Sequence, residues 1–158
     1  MIDFLDIFVE MERSLVLLKP DTVRRNLIGE VIRRFEENGI NVIALKMLWL
    51  SRREVQMFYI EHKDKPFYDA LTNFMSSGPI VALVLAGEDV IKRTRELIGA
   101  TDPAKADKGT IRADFGESLT VNSVHGSANR ESAESEISCI FSQIDIMDIN
   151  SAFCRRQF

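Results

Sequence analysis

The stretch SLVLLKPDTVRRNLIGEVIRRFEENGINVIALKMLWL, residues 14–50, decides the fold, because a helical pattern separates two apolar runs. Ser14 to Leu18 is a short apolar run, and the proline after Lys19 favours an extended lysine, so a buried strand is predicted. Apolar residues from Leu27 to Phe35 recur at helical spacing and stop at Asn38-Gly39, which predicts a helix. Val42 to Leu50 is a second strand-like run. Strand, helix and strand therefore follow one another.

The rest of the chain extends this order. Ser51 and Glu54 have the spacing of a capping box, and a short helical piece follows the break at Pro66, so a pair of helices is predicted after the second strand. A third strand is predicted from Ile80 to Leu85. The next helix runs from Val90 to Ile98 and ends at Gly99.

The last third begins with a long segment, Ala100 to Leu119, which has no convincing period and is predicted to be a functional loop. A weak strand is expected near Leu119 to Val124, and Asn129 is a plausible N-cap for a final helix. The order matches βαββαβ, so we predict an α+β, ferredoxin-like fold. Its four-stranded antiparallel sheet carries helices on one face and a helical insert between strands 2 and 3.

Three segments are predicted along the chain: an N-terminal extension over residues 1–12, one domain over 13–141, and a C-terminal tail over 142–158. The 158 residues are 46% hydrophobic and 28% charged, which suits a globular domain. The opening MIDFLDIFVE lacks the basic region of a secretory signal and is too short to span a bilayer. Cys139 and Cys154 are too few for a disulfide framework, so a cytoplasmic protein without a membrane role is expected.

The charge argues against nucleic acid as the primary partner. A net charge of −4 does not suit a binder that depends on bulk positive charge. The sequence also lacks a P-loop and a G-x-G-x-x-G after a strand, and it has no histidine or cysteine spacing typical of a metal centre built by the protein.

His125, at the end of the weak strand, is a candidate nucleophile, because its imidazole is largely neutral near pH 7. Gly126 permits close approach of a substrate, and the following helix start offers N–H groups to an anion. One of three helix carboxylates, Glu131, Glu134 or Glu136, could orient the ring. From composition alone, a histidine that simply packs or caps at a helix start is the commoner case. The other histidine, His62, lies in the charged run EHKDK and is expected to be solvated.

Cationic and aromatic residues that could bind a ligand precede His125 in the sequence. The long loop carries Thr101 and Arg112, and the helix before it carries Arg95, which could bind a phosphate by charge-assisted hydrogen bonds. Any single one of them is more often part of a solvated basic face. Phe67 or Tyr68 could stack on a base, although helical spacing with the residues that follow favours a core role for at least one.

Several stretches resemble the nucleoside diphosphate kinase family, and the resemblance runs from about residue 13 to residue 141. The most specific are NSVHGS (Asn122 to Ser127) together with the GTIR that ends at Arg112 and the SGP that begins at Ser77. The others are LLKPDTVRR (17–25), IGEVIRRFEENG (28–39), HKDKPFY (62–68), SGPIVALVLAGEDVI (77–91), GATDPAKADKGTIRADFG (99–116) and ESAESEI (131–137).

The resemblance implies transfer of the γ-phosphate of a nucleoside triphosphate to a nucleoside diphosphate, in a ping-pong cycle through a phosphohistidine. The implied nucleophile is His125, Glu136 holds its ring, and Mg²⁺ arrives on the nucleotide. The remaining implied site residues are Tyr59 and Ser127 beside the histidine, Lys19 and Asn122 at the ribose, Arg95, Thr101 and Arg112 at the phosphates, and Phe67 at the base. Stacking on an aromatic ring tolerates every base, which implies a broad nucleotide range. A homo-oligomer, hexamer or tetramer, is also implied.

The chain departs from the family pattern at two places. The family usually reads HGSDS, whereas this chain has Ala128 and Asn129 after Ser127, so one carboxylate beside the site is missing. The tail SQIDIMDINSAFCRRQF and the leader before Met11 also differ, which leaves the subunit number open. The main alternative is a nucleotide-binding or regulatory module with the same fold and little or no phosphotransfer. Retention of both His125 and Glu136 argues against that alternative.

Overall fold

The structure is a computed structural model that describes residues 11–148. Four strands and seven α-helices make up the described chain, with short 3-10 turns at Ile60–His62, Pro103–Lys105 and Gln143–Asp145. In chain order these strands and helices are β1 (Glu12–Leu18), α1 (Pro20–Arg24), α2 (Ile28–Glu37), β2 (Asn41–Leu48), α3 (Arg52–Phe58), α4 (Tyr68–Met75), β3 (Ile80–Gly87), α5 (Val90–Ile98), α6 (Ile111–Phe115), β4 (Val124–Gly126) and α7 (Arg130–Ile140).

The four strands form one antiparallel sheet in the order β2-β3-β1-β4. The central pair, β1 and β3, aligns Leu15 with Val84, and β4 pairs with the other side of β1 so that Leu17 lies opposite His125. The predicted α+β, ferredoxin-like fold with a helical insert, α3 and α4, is confirmed. His125 is therefore fixed on a strand at one edge of the sheet.

Helices cover both faces of this sheet, not one face as expected. Alternate residues of β1 enter different clusters: Leu15 and Leu17 pack on one side, Val16 and Leu18 on the other. The insert helices α3 and α4 close the first side, and α2 and α5 close the second. Every residue of β3 is buried, as a strand covered on both faces must be.

Two local expectations need correction near the end of the chain. The strand expected at Leu119 to Val124 is β4, which begins only at Val124, because Ser123 has a φ of 72° that cannot continue a strand. The long segment 100–119 also contains α6, a short helix capped by the Thr110 hydroxyl, which accepts from the Ala113 N–H. A single buried side chain, Ile111, is too weak a periodic signal to reveal that helix.

The folded unit extends slightly beyond the predicted domain, 13–141, at both ends. Glu12 lies in β1, and the Lys46 ammonium pairs with Asp145 over 2.9 Å, which holds the 3-10 turn after α7 against β2. The predicted leader at 1–10 and the tail from residue 149, with Cys154, lie outside the described residues, so the three-part division stays a prediction. Within residues 11–148, no helix has the length and apolar character needed to cross a membrane.

Candidate active site

A cavity of about 550 Å³ opens between the segment 59–71, α5, the segment 101–122 and α7. All the predicted site residues except Ser127 line it. The lining residues are Lys19, Tyr59, Glu61, His62, Phe67, Leu71, Arg95, Thr101, Arg112, Leu119, Thr120, Asn122, His125, Gly126, Ala128, Ser132 and Glu136. Residues from distant parts of the chain thus meet around one histidine.

The turn after β1 holds the chain that leads into β4. Asp21 accepts from the Ser123 backbone N–H at 3.1 Å, and the Thr22 hydroxyl donates to the Ser123 carbonyl at 2.7 Å. The Lys19 backbone N–H donates to the same carbonyl at 2.9 Å. These bonds stabilise the left-handed backbone of Ser123, which costs free energy in a residue other than glycine. The KPDT sequence therefore orients both Asn122 and His125.

Lys19 is a buried cation that reaches across this turn. Its ammonium donates to the Asn122 side-chain oxygen at 2.6 Å and to the Thr120 carbonyl at 3.2 Å. Burial and, after it, the positive charge of Arg112 lower the pKa of Lys19 to about 7, although the nearby Asp21 opposes both effects. A nearby anion would reverse this shift, since an opposite charge favours the charged amine.

His125 is held through one ring nitrogen. Its Nε2 lies 3.0 Å from the Glu136 Oε1, whereas Nδ1 has no hydrogen bond within the described chain. Burial by itself raises the pKa of the Glu136 carboxyl, but hydrogen bonds and charge from the His125 ring and the Ser127 hydroxyl outweigh it, so this pKa is lowered. An ionised Glu136 keeps the proton on Nε2 and leaves a lone pair on Nδ1. Of the three helix carboxylates considered above, Glu136 is the one that contacts the ring.

Ser127 supports the carboxylate and lies outside the cavity lining. Its buried hydroxyl donates to the Glu136 Oε2 at 2.7 Å and accepts from the Leu15 N–H at 3.1 Å. The resemblance put this residue beside the histidine, and the structure puts it behind Glu136. Through it, the carboxylate is tied to the central strand β1.

Aromatic edges surround the imidazole. The rings of Phe58 and Tyr59 meet the His125 ring edge-on, with centroids 5.6 and 5.7 Å away. The Tyr59 hydroxyl is buried and has no hydrogen-bond partner among residues 11–148. Burial, and then the charge of Glu136, raises the pKa of this phenol well above its usual value. Tyr59 is therefore a neutral donor that a ligand in the cavity would satisfy.

The predicted phosphate residues Arg95, Thr101 and Arg112 line the same cavity as His125. Arg112 donates to the carbonyls of Gly99 at 3.2 Å and Val124 at 2.9 Å, and its buried Nε has no hydrogen-bond partner in the described chain. Burial, followed by the charge of Arg95, lowers the pKa of Arg112 to about 10, so it stays cationic at neutral pH. Arg95 and Thr101 are exposed where they line the cavity.

Two exposed apolar side chains line the cavity. Phe67 is 46% exposed and Leu119 is 63% exposed, and both line the cavity. Tyr68 is instead a core residue, so only one of the two adjacent aromatics is available to a ligand.

His62 was expected to be solvated, and this expectation is wrong. It is half-buried, stacks on Tyr59 with centroids 6.2 Å apart, and lies 5.7 Å from the Phe67 ring. His62 follows Tyr59 by three residues, which is about one helical turn, and this spacing could have predicted that the two rings lie together. Leu119, in a loop without period, offered no comparable signal.

The donors in this cavity suit phosphate oxygens better than a metal ion. Lys19, Arg95 and Arg112 provide positive charge, and the described residues contain no cluster of three carboxylate, histidine or cysteine side chains that could hold a metal.

A second, wide groove of about 590 Å³ shares Arg95 and Ala128 with this cavity.

Comparison with known proteins agrees with this geometry. The family model for nucleoside diphosphate kinase matches residues 12–146. A nucleoside diphosphate kinase of Protochlamydia amoebophila is 52% identical over 135 residues, which cover 85% of this chain and 96% of that protein. One from Persephonella marina is 51% identical over 140 residues, covering 89% of this chain and all of that protein, 100%.

Solved structures show the same relationship. The nucleoside diphosphate kinase of Aquifex aeolicus superposes with a TM-score of 0.85 at 43% identity, covering 87% of this chain and 99% of that one. The enzyme from Halobacterium salinarum, solved in complex with CDP, gives 0.84 at 40% identity and covers 87% and 91%. The chain therefore belongs to the nucleoside diphosphate kinase family.

Proposed function

We propose that the protein transfers the γ-phosphate of a nucleoside triphosphate to a nucleoside diphosphate through a phosphohistidine on Nδ1 of His125. Membership of the family makes the chain a phosphotransferase. The proposal adds the residue, the atom and the order of events. Donor and acceptor use one cavity in turn, so the cycle is ping-pong.

The observation that carries the proposal is the contact of 3.0 Å between the His125 Nε2 and Glu136. In the first half-reaction the Nδ1 lone pair attacks the γ-phosphorus, the bond to the β,γ-bridging oxygen breaks, and the nucleoside diphosphate leaves. The ring then carries positive charge, which the Glu136 carboxylate stabilises through the Nε2 proton. A second nucleoside diphosphate reverses these steps.

Positioning and charge supply most of the catalysis in phosphoryl transfer. Arg95, Arg112 and Thr101 are proposed to bind the phosphates, and the Tyr59 hydroxyl, which has no partner within residues 11–148, is a donor for the transferring group. Lys19 and Asn122 are proposed to contact the ribose. The base would lie between Phe67 and Leu119, whose apolar surfaces do not discriminate between bases.

A divalent metal, Mg²⁺ in our proposal, arrives as part of the substrate. Nucleotide kinases generally use such an ion, which neutralises phosphate charge. The cation-rich wall around Arg95 and Arg112 fits phosphate oxygens, so the ion would be held by the phosphates and not by side chains.

The decisive experiment incubates the protein with γ-labelled ATP and Mg²⁺. We expect label that is acid-labile and base-stable, and that leaves when any nucleoside diphosphate is added. The two histidines of the chain provide a matched pair. His62→Ala should still be labelled, whereas His125→Ala should not. Equal labelling of His125→Ala would overturn the assignment. Nucleotide binding without labelling of the unaltered protein would favour a regulatory module.

Three further proposals concern the whole protein. We propose a homo-oligomer, hexamer or tetramer, and a cytoplasmic location, consistent with its few cysteines. We also retain the division into an extension at 1–12, a domain at 13–141 and a tail at 142–158. Nucleic acid is not proposed as a primary partner, because the net charge is −4.

A further inference from the structure

The segment between α5 and β4 carries Thr101 and Arg112 but has little regular structure to hold it. Its only α-helix, α6, has five residues, too few to be stable by itself. Ile111 anchors α6 from inside, where it is fully buried among the side chains under the sheet. The outer side of α6 therefore needs a separate anchor if Arg112 is to keep its place.

Arg34, on α2, contacts the outer side of α6 from both ends. Its Nη1 lies 2.7 Å from the Asp114 Oδ2 and donates to the Gly109 carbonyl at 3.2 Å. Its guanidinium carbon lies 4.7 Å from the centre of the Phe115 ring. Arg112 lies between these contact points in the sequence.

Arg34 is itself held in place by its own helix. Its Nε donates to the Glu30 carboxylate one turn earlier, at 3.0 Å. The Arg34 side chain is only 19% exposed, so solvent screens these contacts less than those of a surface pair. The planar Arg34 guanidinium donates through both Nε and Nη1 while it stacks on a ring. The ammonium group of a lysine could not make all of these contacts.

We propose that Arg34 is a positioning residue for the phosphate site, which acts through α6 on Arg112. The inference rests on the proposed function, since Arg112 is the phosphate ligand that it would position. The Arg112 guanidinium itself donates to the carbonyls of Gly99 and Val124. A shift of α6 would carry the Arg112 guanidinium with it, and small misplacements of binding groups reduce rates strongly.

Arg33 provides a matched control. It lies next to Arg34 on α2 and also pairs with Glu30, but its other partner is Glu37 on the same helix. Its side chain is 53% exposed. Arg33→Gln therefore removes the same charge from the same helix, but within the described chain the hydrogen bonds that it removes all lie on α2 itself.

The experiment compares kcat/KM for Arg34→Gln and Arg33→Gln in two backgrounds, unaltered and Arg112→Ala. Arg34→Gln should lower kcat/KM about tenfold in the unaltered background. Arg33→Gln should change it less than about twofold, and so should Arg34→Gln once Arg112 is already absent. Arg34→Lys should recover only part of the loss. An equal loss in both backgrounds, or no loss in the unaltered one, would overturn the proposal.

Two additional measurements keep the outcome clear. Thermal melting identifies a variant that has lost its fold, and Asp114→Asn then tests the same contact from the α6 side. If the unaltered protein binds nucleotide without catalysing transfer, the proposed function fails separately. In that case the affinity for a nucleoside diphosphate, measured by calorimetry in the same variants, decides whether Arg34 acts through Arg112.

Discussion

Lys19 and Asn122 lie 103 positions apart in the sequence, yet the Lys19 ammonium donates to the Asn122 side-chain oxygen across 2.6 Å. The contact joins the end of β1 to the residue before the left-handed Ser123. It also places a buried cation beside the cavity that holds His125. The Lys19 amine, proposed to contact the ribose, is therefore also sensitive to charge that enters this cavity.

Lys19 should titrate near neutral pH in the ligand-free protein. Burial, then the charge of Arg112, lowers its pKa from the ordinary value of 10.5 to about 7. Between these values the folded protein binds fewer protons than the unfolded chain, so the free energy of unfolding rises with pH across this window. Urea denaturation across that window should show the rise, and Lys19→Met should remove it.

Lys92→Met is the control, because Lys92 is exposed on α5. It should leave the pH dependence as it is in the unaltered protein. If the free energy of unfolding of Lys19→Met rises with pH as much as that of the unaltered protein, another group causes the rise. Bound nucleotide, through its phosphate charge, should move the titration of Lys19 back upward.

Glu136→Gln should lower kcat by about two orders of magnitude, because misplacement of a reacting group by about 1 Å can reduce the rate about a hundredfold. An amide cannot stabilise the positive ring that forms when Nδ1 is phosphorylated. Glu134→Gln, on the exposed side of α7, is the matched control and should leave kcat unchanged. Steady-state assays decide the matter, and comparable rates for the two variants would contradict the role assigned to Glu136.

The same carboxylate should also affect acid stability. Its pKa is lowered although burial opposes this, because the bonds from His125 and Ser127 outweigh burial. Its contribution is therefore present above pH 4.5, the ordinary value, and is lost as pH falls through the lowered pKa. Acid unfolding followed by circular dichroism should show a weaker dependence on pH in this range for Glu136→Gln.

The sequence predicted most of this arrangement where local signals were strong. The capping box of Ser51 and Glu54 is present, and Asn129 caps α7 through the Ser132 N–H, because such caps depend on residues three apart. The order of strands and helices along the chain was predicted from the apolar runs and the helical periods. Residues alone left three carboxylates as partners for His125, and the family resemblance favoured Glu136.

What the sequence did not predict depends on contacts between distant residues. The start of β4 is set by bonds from Asp21 and Thr22 to Ser123, about a hundred positions away, and no local pattern reveals them. The position of His62 depends on how the 3-10 turn folds against Tyr59 and Phe67. The helices on the second face follow from the alternation within β1, which a continuous apolar run conceals.

Phe67→Ala should raise KM by about tenfold for every nucleoside diphosphate, since stacking on an aromatic ring contributes about 1–3 kcal/mol per base. The factor should be similar for purines and pyrimidines, because the ring makes no base-specific hydrogen bond. Met57→Ala is the control: Met57 is 64% exposed and does not line the cavity. A loss confined to one base would show that the pocket reads base identity.

Gly126→Ala should destabilise the fold, because the added Cβ would lie 2.7 Å from the Ile98 Cδ1. Ile98 is 2% exposed and cannot move into solvent. Overpacking of this kind costs about 1–3 kcal/mol. Ile98→Val removes the clashing carbon, so the double variant should be more stable than the sum of the single effects predicts. Denaturant midpoints of the two single variants and the double variant test this. If the two effects simply add, the contact with Ile98 is not the cause of the destabilisation.

Ala128→Asp should change turnover by less than about tenfold, or about 1.4 kcal/mol in the barrier. Ala128 is exposed and shares the cavity wall with Arg95, so an added carboxylate would interact with that arginine through solvent. Salt screens such exposed pairs. Ala128→Asn, with the same shape and no charge, isolates the electrostatic effect, and the difference between the two variants should shrink as ionic strength rises. A larger gain in kcat for the aspartate alone would show that the missing carboxylate contributes directly to transfer.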